Sequence, residues 1–224
     1  MKTMLRKNIY IIFWIIVLLE IIGLILKITS VHFVLKPLLM PVLIAATLLL
    51  SVKTSGRKKI IAALFFSFLG DVFLLFEYKT PMFFMLGLFY FLVTHIFYIA
   101  WFIQIGKPGT STIRRHPYLV ILIALYTTAL LYFLMPGLGD LKIPVIIYAC
   151  IISVMLYFSL RLPYRIGKTA RQLLITGALC FVISDSLLAI NKFYKPFPFA
   201  LVLIMLTYCL AQYFIVKGFI RIRN

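Results

Sequence analysis

Eight apolar runs, each long enough to cross a bilayer, recur along the chain at residues 9–26, 35–52, 58–76, 83–103, 117–135, 142–160, 171–190 and 197–219. At about 1.5 Å of rise per residue, runs of this length match a hydrocarbon layer about 30 Å thick. Inside that layer a helix satisfies every backbone donor and acceptor within its own segment. No connecting segment exceeds about a dozen residues. The expectation is therefore an all-α, polytopic membrane protein, one domain over residues 1–224 with eight transmembrane helices. Pro81, Pro117 and Pro144 fall at or near run starts, where a helix has no donor to lose, and Pro37 and Pro41 are expected in the first turns of the second helix. The first run follows Lys2, Arg6 and Lys7 and so imitates a signal peptide, but its length and the lack of a small-x-small cleavage site predict a retained helix.

Basic residues outnumber acids 23 to 5, a balance that on a soluble domain would suggest nucleic acid. Here the basic residues flank the apolar runs of a chain that is 64% hydrophobic, so they read as topology signals and anchors to anionic membrane lipids. Counted by segment, the N-terminus, the C-terminus and the loops after runs two, four and six carry 17 Lys and Arg against 6 elsewhere. Both termini are thus expected to be cytoplasmic, with a bacterial cytoplasmic membrane as the host. Cys150, Cys180 and Cys209 lie inside apolar runs and read as buried thiols.

Against this background the stretch FFSFLGDVFLLF, residues 65–76, is anomalous, because Asp71 sits where hydrocarbon belongs. An aspartate at bilayer depth costs about 2.5–3.5 kcal/mol on insertion scales, so it is held by a partner or used for chemistry. A second case aligns with it without gaps: LFFSFLGDVFLL at 64–75 matches ALCFVISDSLLA at 178–189, with Asp71 on Asp185. These are the third and seventh runs, as a tandem duplication of four helices would give. Both aspartates lie five residues before the outer end of their runs, so both are expected about 7–8 Å below the outer boundary.

Other polar side chains fall within reach. Lys36 is at the outer end of the second run, Tyr148 in the outer half of the sixth, and Glu20 somewhat deeper in the first. His95 and Tyr98 are spaced i and i+3 in the fourth run, and Tyr208 and Gln212 i and i+4 in the eighth. These residues are expected to line one wet cavity opening outward. Each also has a structural alternative: the aspartates satisfied by Lys36 or by tyrosine and serine hydroxyls, His95 as a hydrogen-bonded core residue, the tyrosines as packing. His95 is the one histidine expected inside the membrane, with His32 and His116 in or beside loops, so neither a metal nor any other cofactor is expected. Signatures of serine hydrolases, P-loops and zinc proteases are missing from the sequence.

Lys36-Pro37, SFLGDVFLL around Asp71, HIFY from His95 to Tyr98, Tyr148, GALCFVISDSLLA around Asp185 and YCLAQ from Tyr208 to Gln212 together resemble the YhhN and TMEM86 family of lysoplasmalogenases. The resemblance covers essentially the whole chain, and the aspartate motifs are its most specific part. It implies hydrolysis of the vinyl ether of a lysophospholipid substrate, with Asp71 and Asp185 catalytic and Lys36, His95, Tyr98, Tyr148, Ser184, Tyr208 and Gln212 as substrate-binding positions. Vinyl ether hydrolysis needs an acid, a stabilising anion and one water, roles that two carboxyls in different surroundings can divide. Asp185 is expected as the acid and Asp71 as the anion, with Lys36, Lys192 and Lys195 available to the phosphate. The competing reading is a carrier in which the aspartates bind a proton or cation and the basic rim handles a lipid or organic anion.

Overall fold

The computed structural model describes residues 2–106 and 111–222, with side chains from residue 8 onward. The described chain is helical: α1 Lys2–Ile25, α2 Thr29–Leu50, α3 Ser55–Leu75, α4 Pro81–Ile105, the short α5 Thr112–Arg115, α6 Tyr118–Leu134, α7 Lys142–Leu160, α8 Lys168–Phe193 and α9 Ala200–Ile222. Seven of these helices are long and apolar enough to cross a membrane. The long helix outside that set is α3, because every eighteen-residue stretch of it contains Lys58, Lys59 and Asp71. Large apolar side chains such as Ile15, Leu18, Ile121, Leu125, Ile143 and Ile147 are exposed on the long helices, as a hydrocarbon solvent allows.

The helices extend beyond the apolar runs. Helix α1 begins at Lys2, and α2 begins at Thr29 rather than residue 35. Pro37 and Pro41 therefore lie inside α2, not in its first turns. A proline has no N–H, so the carbonyls of Phe33 and Pro37 lose their usual i+4 donor in mid-helix. The longer α2 also takes in His32, in its first turn beside the α1–α2 connection. The α1–α2 turn is tight: Lys27 takes the left-handed backbone conformation (φ 56°), and Val31 packs where a side chain on Gly23 would stand.

The chain folds as two compact units, residues 2–98 and Ile99–Ile222. In the first, α1 packs on α2 and α2 on α3. Phe13, Val17 and Glu20 recur at helical spacing on the buried face of α1, so a carboxylate takes an inward position among apolar side chains. His32 answers it, its Nδ1 bonded to Glu20 Oε1. Helices α3 and α4 meet through stacked rings, Phe66 on Phe97 at 5.5 Å and Phe73 on Tyr90 at 5.1 Å. Beside the rings, Ser67 donates to Thr94 Oγ1, and Thr94 donates to the Ala63 carbonyl, each over 3.1 Å.

In the second unit α8 pairs most extensively with α9, α7 lies on α8 and α6 on α7. The α8–α9 approach depends on glycine: a Cβ on Gly177 would stand 2.7 Å from Ile215 Cγ1 and 3.0 Å from the Ala211 carbonyl oxygen. Such close backbones gain dispersion contacts that lipid cannot supply as well. At one end of the unit Arg171 Nη1 donates to Thr112 Oγ1 over 2.6 Å, and its guanidinium lies 3.8 Å from the Tyr164 ring centre, with Arg115 at 5.3 Å from the same ring. The backbones of Ser111 and Pro163 pair alongside.

Candidate functional site

Each unit carries one of the aspartates on its third long helix, Asp71 on α3 and Asp185 on α8. Each aspartate is met from the long helix before it in sequence.

In the first unit Asp71 is 1% exposed and lies 4.0 Å, Oδ1 to Nζ, from Lys36 of α2. Lys36 is itself buried, so the ammonium and the carboxylate offset charges that neither could carry alone in an apolar interior. Gly70 brings α4 close at this level, since a Cβ there would meet the Phe91 ring at 2.8 Å. His95 and Tyr98 are both fully buried, one turn apart on α4.

In the second unit the Tyr148 hydroxyl of α7 donates to Asp185 Oδ2 over 2.6 Å. Asp185 is half-buried. It lines, with Tyr148, a crevice of about 40 Å³ between α6, α7 and α8. Leu130, Leu131 and Leu134 form its α6 wall, Val145 and Ile152 its α7 wall, and Val182 and Ala189 flank Asp185 on α8. At one end two hydroxyl pairs close it: Tyr126 donates to Ser186 Oγ, and Thr127 and Ser153 share a hydrogen bond, both at 2.7 Å.

The residues expected from sequence thus separate into groups. Lys36 with Asp71 and Tyr148 with Asp185 are direct contacts. The Ser184 hydroxyl donates to the Ile204 carbonyl over 3.0 Å, tying α8 to α9 one residue before Asp185. Tyr208 is buried with its ring edge-on to Phe181 at 5.8 Å, and Gln212 is fully buried one turn later on α9. Glu20, grouped with the cavity by its depth, is instead bonded to His32. Tyr126, Thr127, Ser153 and Ser186 were not legible as site residues. The one signal in the sequence was polar groups inside apolar runs, which hydroxyls often satisfy on their own helix, as Thr127 and Ser153 also do here. Among the described residues no three His, Cys, Asp or Glu side chains gather as metal ligands do.

Apolar helices with lipid-facing surfaces and buried ionisable residues held by specific partners define a multi-pass integral membrane protein. Within that class the chain belongs to the YhhN family, whose sequence profile matches residues 31–219. It is 32% identical over 170 residues to the Bos taurus protein named lysoplasmalogenase TMEM86A, a match covering 74% of this chain and 67% of that one. The Homo sapiens protein of the same name is 34% identical over 158 residues, 69% of this chain and 62% of its own length. A Mycobacterium tuberculosis protein named lysoplasmalogenase is 29% identical over 182 residues, 80% of this chain and 67% of that one. No solved structure matches the chain significantly.

Proposed function

We propose that this protein is an ether hydrolase that cleaves the vinyl ether of lysoplasmalogens, with Asp71 and Asp185 as its catalytic carboxyls. The observation that carries the reading is the unlike pairing of the two aspartates, a cation beside Asp71 and a phenol on Asp185, in a chain whose relatives are named lysoplasmalogenases. Two carboxyls in different surroundings can divide acid and anion roles.

In the proposed sequence the Asp185 carboxylic acid gives its proton to the outer carbon of the C=C bond, and the π electrons form the new C–H bond. The carbon attached to oxygen becomes an oxocarbenium ion. The Asp71 carboxylate, with Lys36 as its counter-charge, stabilises that cation. Water adds to the cationic carbon and returns a proton to Asp185. The hemiacetal then collapses to a fatty aldehyde and a glycerophospho-alcohol, one water consumed. Tyr148 donates to Oδ2 of Asp185 and so fixes the orientation of the carboxyl that transfers the proton. His95, Tyr98, Tyr208 and Gln212 are proposed to line the substrate, and Ser184 to fix the register of Asp185 through α9.

The deciding experiment is aldehyde release from a 1-alkenyl lysophospholipid by purified protein in detergent, where no second compartment exists. Turnover is expected. A protein that releases no aldehyde, yet moves lipid or ions across liposomes, is a carrier and not this enzyme.

A further inference from the structure

Far from Asp185, the start of α8 runs against the usual charge pattern of a helix. A helix N-terminus is partially positive and favours acids, yet the first turn of α8 has none and carries Lys168 and Arg171. Gly167, the residue before it, has no side chain to cap the free backbone N–H groups. Its backbone turns at φ 89°, and the space where a Cβ would stand is open. Arg171 Nη1 donates to Thr112 Oγ1, and the guanidinium carbon lies 3.8 Å from the Tyr164 ring centre. Nε, in contrast, is buried, and no described group accepts its proton. Nε and Nη2 share one edge of the guanidinium, two parallel donors that match two oxygens of an oxyanion. Arg115 brings a second charge to the same ring at 5.3 Å, so the two guanidinium carbons are no more than about 9 Å apart, roughly one Debye length. No acidic side chain offsets them. The acids of this unit are Asp140, at the far ends of α6 and α7, and Asp185, about 21 Å along α8 from Arg171. Ser111, one residue before Thr112, is 1% exposed, and its hydroxyl too has no described partner.

We propose that Arg171, Arg115 and the N-terminus of α8 form a binding site for a phosphate group, separate from the site at the aspartates. The phosphate accepts from Nε and Nη2 along one edge of Arg171, balances the charge of Arg115, and meets the uncapped N–H groups of α8. The Ser111 hydroxyl, beside Thr112, is a further donor. The distance from Asp185 is too great for the glycerol of one lysolipid to span, so this is not the headgroup position of a substrate reacting there. The site lies at a helix end of a membrane protein, where a phosphate comes either from an anionic lipid headgroup or from a soluble phosphate compound.

Two probes test this on the purified protein in a neutral detergent: radiolabelled inorganic phosphate in equilibrium dialysis, and phosphatidic acid against phosphatidylcholine in native mass spectrometry. Saturable binding of one phosphate group per chain is expected. Binding of phosphatidic acid alone assigns the phosphate to a lipid headgroup, and binding of inorganic phosphate as well assigns it to a soluble compound. Arg171→Lys keeps the charge and removes the two-donor edge, so affinity is expected to fall at least about tenfold. Arg165→Gln removes an exposed charge from the connection before α8 and is expected to change affinity little. Arg115→Gln is expected to weaken binding as well, and it decides the matter if Arg171→Lys does not fold. The site is overturned if neither probe saturates, if phosphatidylcholine binds as well as phosphatidic acid, or if Arg171→Lys loses no more affinity than Arg165→Gln. Undiminished binding by Arg115→Gln overturns it too. None of these readouts needs turnover, so the site stands or falls apart from the hydrolase reading.

Discussion

Tyr148 on α7 donates its hydroxyl to Oδ2 of Asp185 on α8 over 2.6 Å, so the half-buried carboxyl has one oxygen fixed and its plane set. Lys36 on α2 stands beside Asp71 on α3 in the same relation of second long helix to third. The echo between residues 64–75 and 178–189 therefore extends to where each aspartate finds its partner. The partners differ in kind, an ammonium in one unit and a phenol in the other, and the proposed division of labour starts from that difference.

Tyr148→Phe removes the donor and keeps the ring. As Asp185 gives up its proton it becomes a carboxylate, and a hydrogen bond to a charged group contributes about 1.5–3 kcal/mol, so kcat is expected to fall roughly 10- to 100-fold. Aldehyde release checks it, with elution on size exclusion as the control for folding. Unchanged turnover would make Tyr148 a packing residue.

Asp71→Asn and Asp185→Asn keep shape and remove acidity or charge. General acid catalysis is worth typically about 10² to 10⁴ in rate, and both variants are expected to lose that much while eluting as the parent does. Residues acting as one unit make the double variant little worse than either single one. One carboxyl must be protonated and the other ionised, so kcat/KM is expected to pass through a maximum with pH. Proton transfer to carbon is expected to give a solvent deuterium isotope effect above one. If His95→Ala abolishes turnover while either Asn variant keeps it, the acid has been misassigned.

Reporter fusions test the topology. Fusions after Ser55, Ser111 and Lys168 are expected to report a cytoplasmic location, and those after Thr80 and Gly139 an external one. The Thr80 fusion is the critical one, because α3 must carry Lys58, Lys59 and Asp71 across for the eight-span arrangement to hold. A cytoplasmic Thr80 reporter removes that span.

The Glu20–His32 bond joins α1 to α2 with the Glu20 side chain fully buried. Breaking a buried pair by removing one partner costs about 3–5 kcal/mol, whereas replacing both with apolar residues is often neutral. His32→Ala is expected to lower the Tm in detergent, and Glu20→Leu with His32→Leu to restore most of it. Equal losses from both would show that the pair does more than neutralise itself.

The number of long helices, the basic bias of alternate loops, and two aspartates in matching motifs were legible in the sequence. Hydropathy and length are properties of one segment at a time, and a bilayer selects on those two quantities directly. The helix ends were less legible: Pro37 and Pro41 read as early residues of α2, but its polar first turns carry the helix back to Thr29. Partners were decided only by the tertiary structure. In helices apolar nearly all round no stripe marks the buried face, because lipid and protein interior are similarly apolar. Which way a helix turns is then fixed by close contacts such as Gly177 against Ala211 and Ile215, or Gly70 against Phe91. Those contacts set the rotation that puts Tyr148 on Asp185, Lys36 by Asp71 and His32 on Glu20, and that leaves a crevice behind α6. Sequence placed the carboxyls along the chain; the packing of helix on helix determined what each one meets.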